Sequence, residues 1–186
     1  MERVQYALVA YVRNLLGEFV DELRQELHPA LAHLSAHVTV LPPRTLRGTE
    51  QEAIEWLGDL CSRESAFEAT LGDPESFVPT TPTVFLRVEQ AAYRIRELHD
   101  RCNSGPLQSV EQFAFMPHLT IVKMTTEADA IRALGIARER WAHYKGGRQV
   151  HIEQLCFVRE DSPNHWIDLA PMTLGRSLVG GRKPKI

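Results

Sequence analysis

Residues 36–41 read Ala-His-Val-Thr-Val-Leu, and residues 117–123 read Pro-His-Leu-Thr-Ile-Val-Lys. Both are short β-branched runs of the kind that form strands. Side chains in a strand alternate faces with a period of two. His37 and Thr39 therefore share one face and Val38 and Val40 the other. His118 and Thr120 are likewise set opposite Leu119 and Ile121. Each segment offers an imidazole and a hydroxyl on one side and buries aliphatic groups on the other. With 8 histidines, 11 threonines and 44% apolar residues, a His-apolar-Thr-apolar match is expected about 0.1 times in the chain, so two matches are a signal rather than an accident.

Outward from these segments, the same order of parts occurs twice. Residues 5–12 read as a strand, and 16–27 as an amphipathic helix carrying Leu16, Phe19, Val20, Leu23 and Leu27. The His37 strand follows and is expected to stop at Pro42-Pro43. A second helix starts at Thr49, with Glu52 completing a capping-box pattern, and strand pieces at 66–71 and 76–78 flank the turn-like Gly72-Asp73-Pro74. The second pass has a strand at 83–88, a helix at about 91–102, the His118 strand, a helix at about 126–141, and strands at 149–158 and 165–170. The fold class expected is α+β. It is a single domain over 1–175 with two pseudo-symmetric lobes, roughly 1–80 and 81–175, each an antiparallel sheet with outer helices around a central cleft. Residues 176–186, with Arg182, Lys183 and Lys185, read as a basic, flexible tail.

The bulk numbers narrow the partners. The 186 residues suffice for a sizeable core. A formal net charge of −3 argues against a protein that grips duplex DNA through its phosphates. No apolar run approaches the roughly 20 residues that span a bilayer, and the N-terminus lacks the pattern of a secretion signal. The expectation is a cytoplasmic monomer. Cys61, Cys102 and Cys156 are too scattered for a disulfide framework or a zinc ribbon.

Cleaving a phosphodiester in line needs one proton removed from the attacking oxygen and one delivered to the leaving oxygen. Imidazole, with an ordinary pKa of about 6.5, can do either near neutrality. Two imidazoles flanking one phosphorus divide the work, and the Thr39 and Thr120 hydroxyls can bond the non-bridging oxygens. No carboxylate lies within either motif, so neither a metal nor another cofactor is expected.

The paired segments resemble the 2H phosphoesterase superfamily, which includes 2′-5′ RNA ligase/cyclic phosphodiesterase proteins. The resemblance spans about 4–175. It includes the prolines after the first motif (Pro42, Pro43), Pro117 before the second, and the late strand Trp166-Ile167-Asp168-Leu169. It implies a bilobal α+β protein with the motifs facing each other across a cleft. It also implies metal-independent cleavage of a 2′,3′-cyclic or related phosphodiester of a nucleotide or RNA end. His37 and His118 carry over as acid and base, Thr39 and Thr120 as phosphate ligands. For hydrolysis, His118 is expected to activate water and His37 to protonate the leaving oxygen.

Other candidates come from position. Arg44 and Arg47, in the loop expected after the first motif, could steer a phosphate. Tyr11 or Phe115 could stack on a base, although core packing explains each as well. Strict alternation turns Lys123 away from His118, which leaves it a rim contact only if the strand twists or ends there. His33, His99, His143, His151 and His165, which lack a threonine partner, read as surface or structural. A non-catalytic nucleotide or RNA binder on the same fold, and a 2′-5′ RNA ligase, stay open as alternatives.

Overall fold

Local signals set the helices. The Asn14 side chain accepts from the Leu16 and Gly17 amides and starts α1 (Leu15–Leu27). Thr49 and Glu52 close a reciprocal capping box at the head of α2 (Glu50–Ser62), as the sequence pattern predicts. A third helix, α3 (Ala92–Cys102), and a fourth, α4 (Glu127–His143), complete the set, with Thr126 capping α4 through the Asp129 amide. The computed structural model describes residues 4–175, and the basic tail read at 176–186 lies outside the described residues. Among the described residues no helix is long and apolar enough to cross a membrane.

The strands are β1 (Tyr6–Tyr11), β2 (His37–Arg44), β3 (Phe67–Ser76), β4 (Thr83–Gln90), β5 (His118–Lys123), β6 (Gln149–Ile152), β7 (Gln154–Ser162) and β8 (His165–Thr173). They form one eight-stranded sheet in the order β6-β3-β4-β5-β2-β1-β7-β8, and all its strand pairs are antiparallel. The architecture is α+β with a curled sheet. The division into lobes at residue 80 needs correcting. β3 belongs to the first half of the chain but pairs with β4, whereas β7 and β8, from the second half, extend the sheet beyond β1. Each spatial flank of the sheet thus mixes both halves of the sequence.

The curl has a covalent cause. Only Glu153 separates β6 from β7, yet β6 pairs with β3 and β7 pairs with β1 on the far flank. One nearly continuous run, 149–162, therefore has to reach both flanks, and the sheet bends until it can.

Two expectations about strand ends also change. β2 continues through Pro42 and Pro43 to Arg44, because a register shift against β1 places the prolines where no ladder hydrogen bond is required. Gly72-Asp73-Pro74 is not a turn. It lies inside β3 at a register shift opposite β4.

All four helices contribute buried residues to one large core, among them Leu16, Leu57, Ile95 and Ala133. Val38, Val40, Val84, Leu86, Leu119 and Ile121 meet them from the sheet. The other sheet face carries a small separate cluster of Ala7, Val9, Cys156 and Val158, with Tyr11 and Trp166 packed against it. That helix-free face is where the two motifs display their polar side chains.

β2 and β5 meet through a single matched pair, Val38 with Leu119, both completely buried. Leu119→Ala should cost about 2–5 kcal/mol, because the cavity opens where the sheet has least other support. Urea unfolding of the variant checks this, and a loss under about 1 kcal/mol would contradict it.

Candidate active site

The Val38–Leu119 match fixes the relative placement of the motifs. Extending the antiparallel register one residue each way sets His37 opposite Thr120 and Thr39 opposite His118. The two histidines are then diagonal neighbours on one face, a relation that separates side-chain origins by about 7–8 Å. Adjacent pairings extend this into two rows across the helix-free face. One runs Phe85, Thr120, His37, Tyr11, and the other Arg87, His118, Thr39, Val9.

Both imidazoles are fixed in the same way. His37 Nδ1 lies 2.7 Å from the Ser35 carbonyl oxygen, and His118 Nδ1 lies 2.7 Å from that of Met116. A carbonyl can only accept, so each Nδ1 carries the proton and donates it. Each Nε2 is left with its lone pair available. The contact is to the residue two positions earlier in both motifs, so the tautomer lock is repeated along with the motif. Thr39 and Thr120 are half-buried beside these rings, and among the described residues neither hydroxyl is committed to a protein partner.

Burial pushes both imidazoles below their ordinary pKa. For His37 the Ser35 carbonyl opposes this, while the Arg24 guanidinium and His118 add to it. For His118 the Met116 carbonyl opposes burial. Phe77 and Phe85, stacked with centroids 4.1 Å apart, meet His118 edge-on at 5.0 and 5.2 Å. Tyr11 meets His37 edge-on at 6.4 Å and donates its hydroxyl to Asp168 Oδ1 at 2.6 Å.

Arg24 was not evident as a site residue. It projects from α1 and is buried, with 4% exposure. Its Nε donates to the Ile121 carbonyl at 2.9 Å and Nη2 to the Thr120 carbonyl at 2.8 Å, while Nη1 reaches Asp21 and the Leu34 carbonyl. The guanidinium therefore ties backbone leading into β2 to the backbone of β5, directly behind the Thr120–His37 row. With its donors spent on these acceptors it acts by positioning. One signal was available: Arg24 lies four residues after Val20 and eight after Leu16, within the apolar stripe of the helix.

The Arg24 contacts coincide with a bulge. Val84 pairs with Val122 but Phe85 pairs with Thr120, so Ile121 is an extra residue, and both Ile121 and Val122 turn into the core. The bulge reverses the alternation. Lys123 pairs with Thr83, on the Phe85 side of β4, and so returns to the motif face against the simple parity argument. It borders a recess of about 550 Å³ whose lining includes His28, His33, Asn164 and His165.

The other candidates lie elsewhere. Arg44 is not a loop cation. It is buried at 3% exposure on the helix side, bonded to Asn103 at 2.7 Å, the Leu107 carbonyl at 3.1 Å and Glu111 at 2.5 Å. Arg47 bonds Gln108 at 3.0 Å in the same region. Phe115 packs against the large core and stacks on His99, with centroids 3.8 Å apart. His99 itself is structural, with Nδ1 2.8 Å from the Val40 carbonyl. Arg87 was missed: it is exposed, directly opposite His118, and nothing in its local sequence marks it.

The electrostatics of the two rings can be tested through stability. A histidine favoured as neutral in the folded state makes the unfolded chain bind more protons below its own pKa. Stability should therefore fall as pH drops from about 6.5 toward the depressed folded values. Urea unfolding at pH values of about 7.5 and 5.5 should show this slope, and the double variant His37→Asn, His118→Asn should reduce it. Arg24→Gln removes one cause of the low His37 pKa, so the His37 ring should titrate at higher pH by NMR. It should also cost about 3–5 kcal/mol of stability through acceptors left unpaired in the interior.

Comparison with known proteins agrees with this fold. A model of the 2′-5′ RNA ligase superfamily matches residues 13–164. A Bacillus thuringiensis (strain Al Hakam) protein named "Putative phosphoesterase" is 24% identical over 143 residues, covering 76% of this chain and 83% of the relative. Escherichia coli LigT complexed with NADP+ superposes with a TM-score of 0.65 at 14% identity, over 94% of this chain and all of that one. TT0787 of Thermus thermophilus gives a TM-score of 0.61 at 17% identity, covering 92% and 98% of the two chains. The matched segment holds both motifs, and the chain belongs to the 2′-5′ RNA ligase superfamily of 2H phosphoesterases.

Proposed function

We propose that the protein is a phosphoesterase that opens a 2′,3′-cyclic or related phosphodiester of a nucleotide or RNA end, with His37 and His118 as its acid–base pair. The observation that carries this is the shared lock on the two rings, each presenting a free Nε2 to one face from diagonal positions. The family membership and the relatives named as phosphoesterases support it. So do solved complexes of E. coli LigT with 3′-AMP, ATP and phosphate.

In the reaction, one Nε2 takes a proton from water as the water oxygen bonds to phosphorus. The other, protonated, gives its proton to the ribose oxygen as the P–O bond to it breaks, leaving a phosphomonoester. The two rings carry the same Nδ1 lock, so either can serve the water while the other serves the leaving oxygen. Thr39 and Thr120, uncommitted within the protein, donate to the non-bridging oxygens as charge builds there. Both proton transfers are supplied by side chains, so the scheme requires no metal. Lys123, turned onto the motif face by the bulge, adds a cation beside Thr120.

His37→Ala and His118→Ala should each lower kcat on 2′,3′-cyclic nucleotides by about 10²–10⁴-fold, with ligand binding retained. Thr39→Val or Thr120→Val should cost about 10²–10³-fold. Turnover needs one neutral and one protonated ring, and both pKa values are depressed. The bell-shaped profile of kcat/KM should therefore centre on the acid side of about pH 6.5. Excess chelator should leave the rate unchanged. Unimpaired turnover in either alanine variant would end this reading, and a wild-type protein that binds cyclic nucleotides without turning them over would favour the non-catalytic binder.

A further inference from the structure

The two motifs are related by an approximate two-fold symmetry, but their outer neighbours are not. On the β1 side, His37 is flanked by Tyr11, which pairs with it directly and spends its hydroxyl on Asp168. Arg13 lies over the Tyr11 ring at 5.0 Å, so that flank holds a cation already engaged with an aromatic face and an acid already accepting a hydrogen bond. On the β4 side, the equivalent position opposite His118 is Arg87. Directly opposed residues on an antiparallel pair point to the same face, so the Arg87 side chain rises beside the His118 ring.

Arg87 is only weakly engaged. Its nearest acid, Glu75, is 3.6 Å away, beyond ordinary hydrogen-bond length, and the two side chains are 51% and 42% exposed. A pair so exposed contributes little and is readily exchanged for a better anion. Arg24 and Arg44, in contrast, are buried and saturated, and Arg159 is bonded to Glu50 at 2.6 Å.

We infer that Arg87 is the binding residue for a second anionic group of the substrate, a phosphate separate from the one cleaved. The inference rests on the function proposed above, since it takes the scissile phosphorus to sit over the β2–β5 seam. From that midline β4 is one and a half strand spacings away, about 7 Å, a span that a single ribose bridges. Guanidinium pairs with phosphate through parallel N–H donors, which a carboxylate at 3.6 Å does not prevent. The substrate class is a nucleotide bearing a cyclic phosphate at one end of the ribose and a further phosphate at the other. Its charged extension lies toward His118. This orientation also gives the pseudo-symmetric site a direction: the ribose oxygen leaves on the His118 side, so His118 protonates it and His37 takes the proton from water, the reverse of the expected division.

Equilibrium binding tests this independently of turnover. The probes are adenosine 2′-monophosphate and adenosine 2′,5′-bisphosphate, measured by titration calorimetry. The wild-type protein should bind the bisphosphate about tenfold more tightly than the monophosphate. Arg87→Gln should abolish that gain while leaving the monophosphate Kd unchanged, and Arg87→Lys should keep part of it. Glu75→Gln, which frees the guanidinium, should enlarge the gain. A wild type without preference, an R87Q variant that retains it, or an R87Q variant that weakens both ligands equally overturns the assignment. Failure of the acid–base reading shows separately, in the turnover of the His37 and His118 variants.

Discussion

The seam between β2 and β5 is the place where the sheet is both weakest and most consequential. A single backbone match, Val38 with Leu119, joins the two strands. Just beyond it, where an ordinary ladder would supply further hydrogen bonds, the Arg24 guanidinium takes over by donating to the Thr120, Ile121 and Leu34 carbonyls. Burying a guanidinium is expensive unless its donors are used, so α1 docks in the one position that satisfies it. Helix packing, the spacing of the two motif strands and the field felt by His37 are consequences of the same set of contacts.

From that seam the placement of the motif side chains follows. Antiparallel register around one match sets each histidine across from the other motif's threonine. The Nδ1 bonds to residues 35 and 116 then leave matching acceptor nitrogens on the same face. Burial holds both rings neutral at rest, and an incoming anion is what would favour protonating one of them. The site is built nearly symmetric and becomes directional only at its flanks, where Tyr11 and Arg87 differ.

Much of this was legible in the sequence, for local reasons. Alternation within His-Val-Thr-Val and His-Leu-Thr-Ile is enough to place imidazole and hydroxyl together, and the Thr49–Glu52 pattern marks a helix start without help from the rest of the chain. What depended on distant partners was not legible. Strand order decides that β3 leaves the first half to join β4, and nothing within 67–76 encodes its neighbour. The extra residue Ile121 exists only because β4 and Arg24 define a register around it, so parity misplaced Lys123. Arg44 read as a loop cation because its acceptors, Asn103, Leu107 and Glu111, lie about sixty residues downstream. Arg87 gains its meaning from a cross-strand neighbour thirty-one positions later.

The run through Glu153 that serves both flanks of the sheet bears on how the chain reaches its final form. β1 waits for β7, and β3 for β6, so each strand leaves the ribosome long before its last partner is synthesised. Pairings this remote carry a heavy loop-closure cost and fold slowly. Until residues 149–162 arrive, two strand margins stand open to self-association. A nascent or truncated chain that stops short of that run retains both complete motifs yet exposes two sticky borders. Quality control during synthesis, more than the chemistry of the finished pocket, would then set how much of this protein a cell accumulates.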